Sequence, residues 1–91
     1  MIVHYSKDFE KSVRKIKNVI ALTSLNKVIE ILKNAESLQN VSNVKAIKNY
    51  ANLYRIRLGD YRILVFHHKN TIEILLVDFL KRDEKTYKKY K

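Results

Sequence analysis

Ninety-one residues, 46% hydrophobic and 31% charged, suffice for one buried core in a single domain spanning 1–91 and leave no room for a second. The chain has no cysteine, which excludes disulfides and thiolate chemistry, and no apolar run near the ~20 residues that a membrane-spanning helix needs. Nineteen Lys+Arg against nine Asp+Glu give a net charge of +10, a balance that favours a polyanionic partner such as nucleic acid, an acidic protein or an anionic membrane surface.

Ile2-Val3-His4-Tyr5 is a short strand candidate. Ser6 supplies an N-cap for a helix in which Phe9, Val13 and Ile16 form one apolar stripe. The early polar stretch Ser6-Lys7-Asp8 is unlike a signal peptide and, with the lack of cysteine, fits a cytoplasmic protein. Lys17-Asn18 breaks the first helix. A second is predicted over 19–34, with Leu22, Leu25, Val28, Ile29 and Leu32 facing inward, and the two form an antiparallel hairpin. Residues 35–52 are polar and irregular, with Val41, Val44 and Ile47 spaced for one short helical turn.

Three strands are predicted next, over 53–58, 61–68 and 71–80. Alternation sets Tyr54, Ile56 and Leu58 on one side of the first strand and Arg55 and Arg57 on the other. Gly59, the only glycine, precedes Asp60 in a two-residue turn whose first position accepts positive φ. The chain returns through Tyr61-Arg62, so three guanidinium groups gather around one hairpin, and guanidinium forks bind phosphate bidentately. Lys69-Asn70 marks a second tight turn. The third strand is apolar on both faces, as suits an interior strand. The helix hairpin covers one face of such a sheet; the other requires the C-terminal segment or a partner. From Asp83 onward the tail reads as a short basic helix. Residues 81–91 hold six basic and two acidic side chains, with Tyr87 and Tyr90 among them.

The order strand, two helices, three-stranded meander and basic tail resembles the RelE/ParE superfamily of type II toxins. Tyr54-Arg55-Ile56-Arg57-Leu58-Gly59-Asp60-Tyr61-Arg62 resembles its hallmark hairpin, and Lys81-Arg82-Asp83-Glu84-Lys85-Thr86-Tyr87 its closing Arg…Tyr element. The resemblance implies an α+β fold with a mainly antiparallel sheet and a partly disordered, acidic antitoxin as partner in a hetero-oligomeric complex. It further implies one of two activities. RelE-type members act at the ribosome as mRNA endonucleases without a metal or other cofactor; ParE-type members inhibit DNA gyrase and lack the nuclease residues. The joint presence of Arg62, Arg82 and Tyr87 favours the RelE-type reading. A plain RNA-binding domain accounts for the charge but not for the hairpin motif. Two departures stand out: arginine occupies both strand positions, 55 and 57, where RelE-type toxins often have lysine, and the Arg82-to-Tyr87 spacing is one residue shorter.

Cleavage of RNA by its own 2′-hydroxyl needs a base, cations to stabilise the phosphorane and an acid for the leaving oxygen. Arg55, Arg57 and Arg62 are the phosphate-binding candidates. Arg62, Arg82 and Tyr87 are the catalytic candidates, with Tyr87 as base on the strength of the resemblance. Permanently charged guanidinium groups are poor proton shuttles. A phenol is weakly acidic in water, but neighbouring cations favour its phenolate. His68 is the alternative acid or base, because alternation sets it, and not His67, on the face of Arg62. His4 reads as structural. The histidines lack metal-ligand spacing, and one glycine cannot make a phosphate loop. Tyr61, Tyr87 and Tyr90 are candidates for stacking on bases, Tyr61 more plainly for packing.

Overall fold

The computed structural model describes residues 1–81. The basic C-terminal helix expected beyond Asp83, and with it Arg82, Tyr87 and Tyr90, lies outside the described residues. The elements in order are β1 (Ile2–Tyr5), α1 (Lys7–Lys15), α2 (Val19–Asn34), a 3₁₀ turn (Leu38–Asn40), β2 (Val44–Ala46), β3 (Leu53–Leu58), β4 (Tyr61–His67) and β5 (Glu73–Lys81). The strands form one sheet ordered β1-β5-β4-β3-β2, in which β1 runs parallel to β5 and every other pair is antiparallel. The expected α+β class, the two helices and the three-stranded meander are all present.

Local chemistry explains most boundaries. The Ser6 Oγ accepts from the Phe9 amide (3.0 Å), capping α1, and also donates to the Val77 carbonyl of β5 (2.5 Å). The Asn18 Oδ1 accepts from the Ala21 amide (3.1 Å), so the residue that breaks the first helix also starts the second. Four asparagines, Asn43, Asn49, Asn52 and Asn70, take positive φ, standing where glycine would be expected in a chain that has only one.

Three features differ from the sequence expectation. Val44 belongs to a strand, not to a helical turn: β2 is held in register by β3, with Val44 opposite Ile56 and Ala46 opposite Tyr54. The second turn is wider than Lys69-Asn70, since β4 ends at His67 and β5 begins at Glu73. Thr71 organises that loop: its hydroxyl donates to the His68 carbonyl (2.8 Å) and accepts from the Glu73 amide (3.2 Å). On α2, Ala21 rather than Leu22 joins Leu25, Val28, Ile29 and Leu32 against the sheet.

The main core lies between the helices and one sheet face, where Leu32, Ile63, Val65, Ile74 and Leu76 are fully buried beside Phe9, Leu25, Ile56 and Phe79. Each such side chain contributes about 1.5–3 kcal/mol of transfer free energy. A smaller cluster of Ile47, Leu53, Leu64 and Leu80, with Phe66 and Val77 against it, occupies the opposite face. A β-bulge in β5 sorts side chains between the two. Leu64 pairs with Asp78 but Val65 with Leu76, so Val77 is the extra residue. Before the bulge Ile74 and Leu76 enter the main core; after it Phe79 does, while Leu80 moves to the opposite face beside Arg62.

Candidate functional site: a cationic sheet face

The β3–β4 hairpin is built around Gly59. Its φ of +60° lies in the region that disfavours side chains, and nothing approaches a Cβ placed there, so backbone conformation alone accounts for glycine. Leu58 and Tyr61 close the turn as a cross-strand pair. With register fixed at the turn, every side chain of β3 and β4 is assigned to a face.

Arg57 stands directly opposite Arg62, and one row further along Arg55 stands opposite both Leu64 on β4 and Lys45 on β2. Cross-strand partners project on the same side, with Cα atoms about 4.5–5.5 Å apart, and successive rows lie about 7 Å apart along the strands. Lys45, Arg55, Arg57 and Arg62 therefore form a compact cationic group on the face away from the helices. Like charges placed directly opposite each other destabilise a sheet. Two such pairs, Arg57–Arg62 and Lys45–Arg55, stand in adjacent rows of this face.

The four cations differ in setting. Arg57 and Lys45 are exposed and Arg55 is half-buried. Arg62 is only 8% exposed, and its Nη1 donates to the carbonyls of Tyr61 (3.0 Å) and Gly59 (3.4 Å). The hairpin turn thus orients one edge of the Arg62 fork. The sequence does not single out Lys45, because its strand has three residues inside a polar segment; only the pairing with β3 reveals its place.

The histidines separate. His68 does lie on the Arg62 side, its ring edge-on to Phe66 at 4.9 Å and 84°. It is six residues along the chain from Arg62, however, or about 20 Å at strand rise. The structure does not bring His68 to a phosphate held by Arg62. His67 is turned to the helix side: its ring lies 6.5 Å from that of Tyr54, and its Nε2 is 2.9 Å from the Thr71 carbonyl oxygen. His4 Nε2 contacts Glu73 Oε1 at 2.9 Å on the β1 edge. Tyr61 is buried and stacked on Phe79 (4.9 Å, 18°), which is packing rather than an open stacking surface. Among the described residues no cluster of histidine and carboxylate side chains is arranged for a metal, and no helix is long and apolar enough to cross a membrane.

Comparison with known proteins agrees with this architecture. The family model described as the ParE toxin of the type II toxin–antitoxin system parDE matches residues 3–86. Toxin RelE3 of Methanocaldococcus jannaschii is 36% identical over 73 residues, which is 79% of this chain and 82% of that protein. The crystal structure of a RelB–RelE antitoxin–toxin complex from Methanococcus jannaschii contains a chain that superposes with a TM-score of 0.79 at 28% identity, covering 97% of this chain and 99% of that one. The archaeal RelE–RelB complex from Pyrococcus horikoshii OT3 gives a TM-score of 0.72 at 20% identity, over 91% and 96% of the two chains, a likeness of fold. With its hairpin, its sheet order and the family match along nearly its whole length, the chain belongs to the RelE/ParE superfamily of type II toxins.

Proposed function

We propose that this toxin is a metal-independent endoribonuclease that cleaves mRNA on the ribosome and so stops translation. The observation that carries the reading is the pair of cation rows, Arg57 opposite Arg62 and Lys45 opposite Arg55, on one sheet face. Such a face suits a phosphodiester. Two guanidinium groups opposite each other can hold non-bridging oxygens and stabilise the extra charge of a phosphorane. The Gly59 and Tyr61 carbonyls orient one edge of the Arg62 fork for this role. Arg82 as a further cation and Tyr87 as the base complete the proposal by resemblance; His68 is too far along β4 to act on the same phosphate.

A cognate antitoxin is the proposed partner, since the relatives at TM-scores of 0.79 and 0.72 were solved as toxin–antitoxin complexes. An acidic antitoxin would neutralise part of the +10 charge. The toxin would act in the cytoplasm, where ribosomes are.

The matching ParE model favours a second reading, inhibition of DNA gyrase without nuclease chemistry. One experiment separates them. Induction of the chain alone should arrest growth with new mRNA 5′ ends inside translated codons. Arrest with intact mRNA and supercoiling-deficient or cleaved DNA would replace the nuclease with the gyrase inhibitor.

A further inference from the structure

A sizeable concavity of the described residues lies off the arginine face. It is a groove of about 780 Å³, within the size range of ligand sites, between α1, the α1–α2 connection and the end of the sheet at the β3–β4 turn. Lys11 and Lys15 line it from successive turns of α1, Lys17 from the connection and Lys81 from the end of β5. All four are exposed. The ion pairs among the described residues are His4–Glu73, Arg14–Glu10 and Lys33–Glu30, so none of these lysines has a carboxylate partner there.

Three carboxylates also line the groove, and they weigh unequally. Asp78 is 7% exposed and accepts from the Ser12 hydroxyl (2.5 Å) and the Phe79 amide (2.8 Å), which commits it to the joint between α1 and the β5 bulge. Asp8 and Asp60 are open to solvent and oppose an anion, leaving four ammonium groups against two free carboxylates.

Position links the groove to the arginine rows. Arg62 pairs with Leu80, and the next pair toward the turn is Tyr61 with Lys81. Leu80, Tyr61 and Lys81 all border the groove. The β5 bulge creates this sharing, because it sets Leu80 on the Arg62 side and Lys81 on the side of Tyr61 and the groove. A flexible polyanion held across Arg57 and Arg62 has a short route around the end of the sheet at the hairpin turn to the four lysines.

We infer that the groove is a second RNA subsite, in which Lys11, Lys15, Lys17 and Lys81 bind the phosphates of the strand flanking those on the arginine face. This inference rests on the ribonuclease reading. The subsite supplies affinity and direction to the strand and no chemistry, since phosphate contacts position a nucleic acid without reading its sequence.

The test is a salt titration of the purified full chain with a short fluorescein-labelled oligouridine. The variant carries Lys11→Gln, Lys15→Gln and Lys17→Gln, three exposed positions whose change leaves the core intact. Each lost phosphate contact should reduce the slope of log K against log salt by about 0.7, so the variant should be shallower by about 2. Asp60→Asn, which removes an opposing charge, should tighten binding. A variant slope equal to that of the unaltered chain, with Arg57→Gln still reducing it, overturns the subsite and leaves the nuclease reading standing. If the unaltered chain binds the oligonucleotide without salt dependence, both fall. Loss of binding to a labelled oligoglutamate in the triple variant, with the RNA slope unchanged, assigns the groove to an acidic peptide and also overturns the inference.

Discussion

The two faces of the sheet answer to different demands. The helix-covered face is apolar at its centre, where Ile56, Ile63, Val65, Ile74, Leu76 and Phe79 pack under Phe9, Leu25 and Leu32, with His67 and Lys81 at its margins. The other face begins with cations at the hairpin end, Arg57 and Arg62, passes through Lys45 and Arg55, and becomes apolar at Leu53, Leu64 and Phe66. The first arrangement lowers the free energy of the folded chain. The second sets like charges opposite one another, which costs a sheet stability where nothing offsets it, and holds Arg62 at 8% exposure. The proposed anion site thus falls on the face with the smaller apolar cluster, and the larger core on the other.

The largest expected effect tests the functional side. Tyr87→Phe keeps the ring but deletes the hydroxyl. If the phenol is the base, mRNA cleavage should fall by about 10²–10⁴ while ribosome binding survives, measured by primer extension and co-sedimentation. His68→Gln should leave cleavage intact. Full activity in the tyrosine variant together with loss in the histidine variant would reassign the proton transfer to His68, despite its distance from Arg62 along β4.

Arg62→Ala should reduce cleavage by about 10²–10³, the usual cost of removing one donor to a developing oxyanion. The contrasting substitution on the other face is Phe79→Ala. It should lower unfolding free energy by about 3–5 kcal/mol in a urea melt, a large share of the ~5–15 kcal/mol available to a typical domain. If the arginine variant loses as much stability as the phenylalanine variant, the division of labour between faces does not hold.

Arg57→Gln sharpens the comparison, because its two effects should have opposite signs. RNA affinity should drop, whereas thermal stability should hold or rise, by about 0.5 kcal/mol for relief of the cross-strand repulsion with Arg62. A loss of stability on urea titration would mean that the row is part of the scaffold. The test furthest from the proposed site belongs to a turn: Asn70→Ala should cost about 1–2 kcal/mol, since alanine disfavours positive φ, and Asn70→Gly should be near neutral.

Features that depend on neighbours along the chain are legible in the sequence. Ser6 and Asn18 cap helices because a side-chain oxygen reaches an amide three residues on. The span of α2 follows from its periodicity, and the Gly59 turn assigns Arg55 and Arg57 to one side and Ile56 to the other by alternation. Tertiary structure decided what depends on distant partners. The parallel pairing of β1 with β5 joins residues about seventy positions apart, and no local pattern encodes it. β2 is a strand only because β3 lies beside it, so Lys45 acquires a place among the arginines only on folding. The bulge at Val77 reverses the alternation of β5, sending Leu80 to the arginine face and Lys81 to the groove. The period of two along a strand is a local property, but its phase is set by hydrogen bonds to another strand, and one extra residue inverts it.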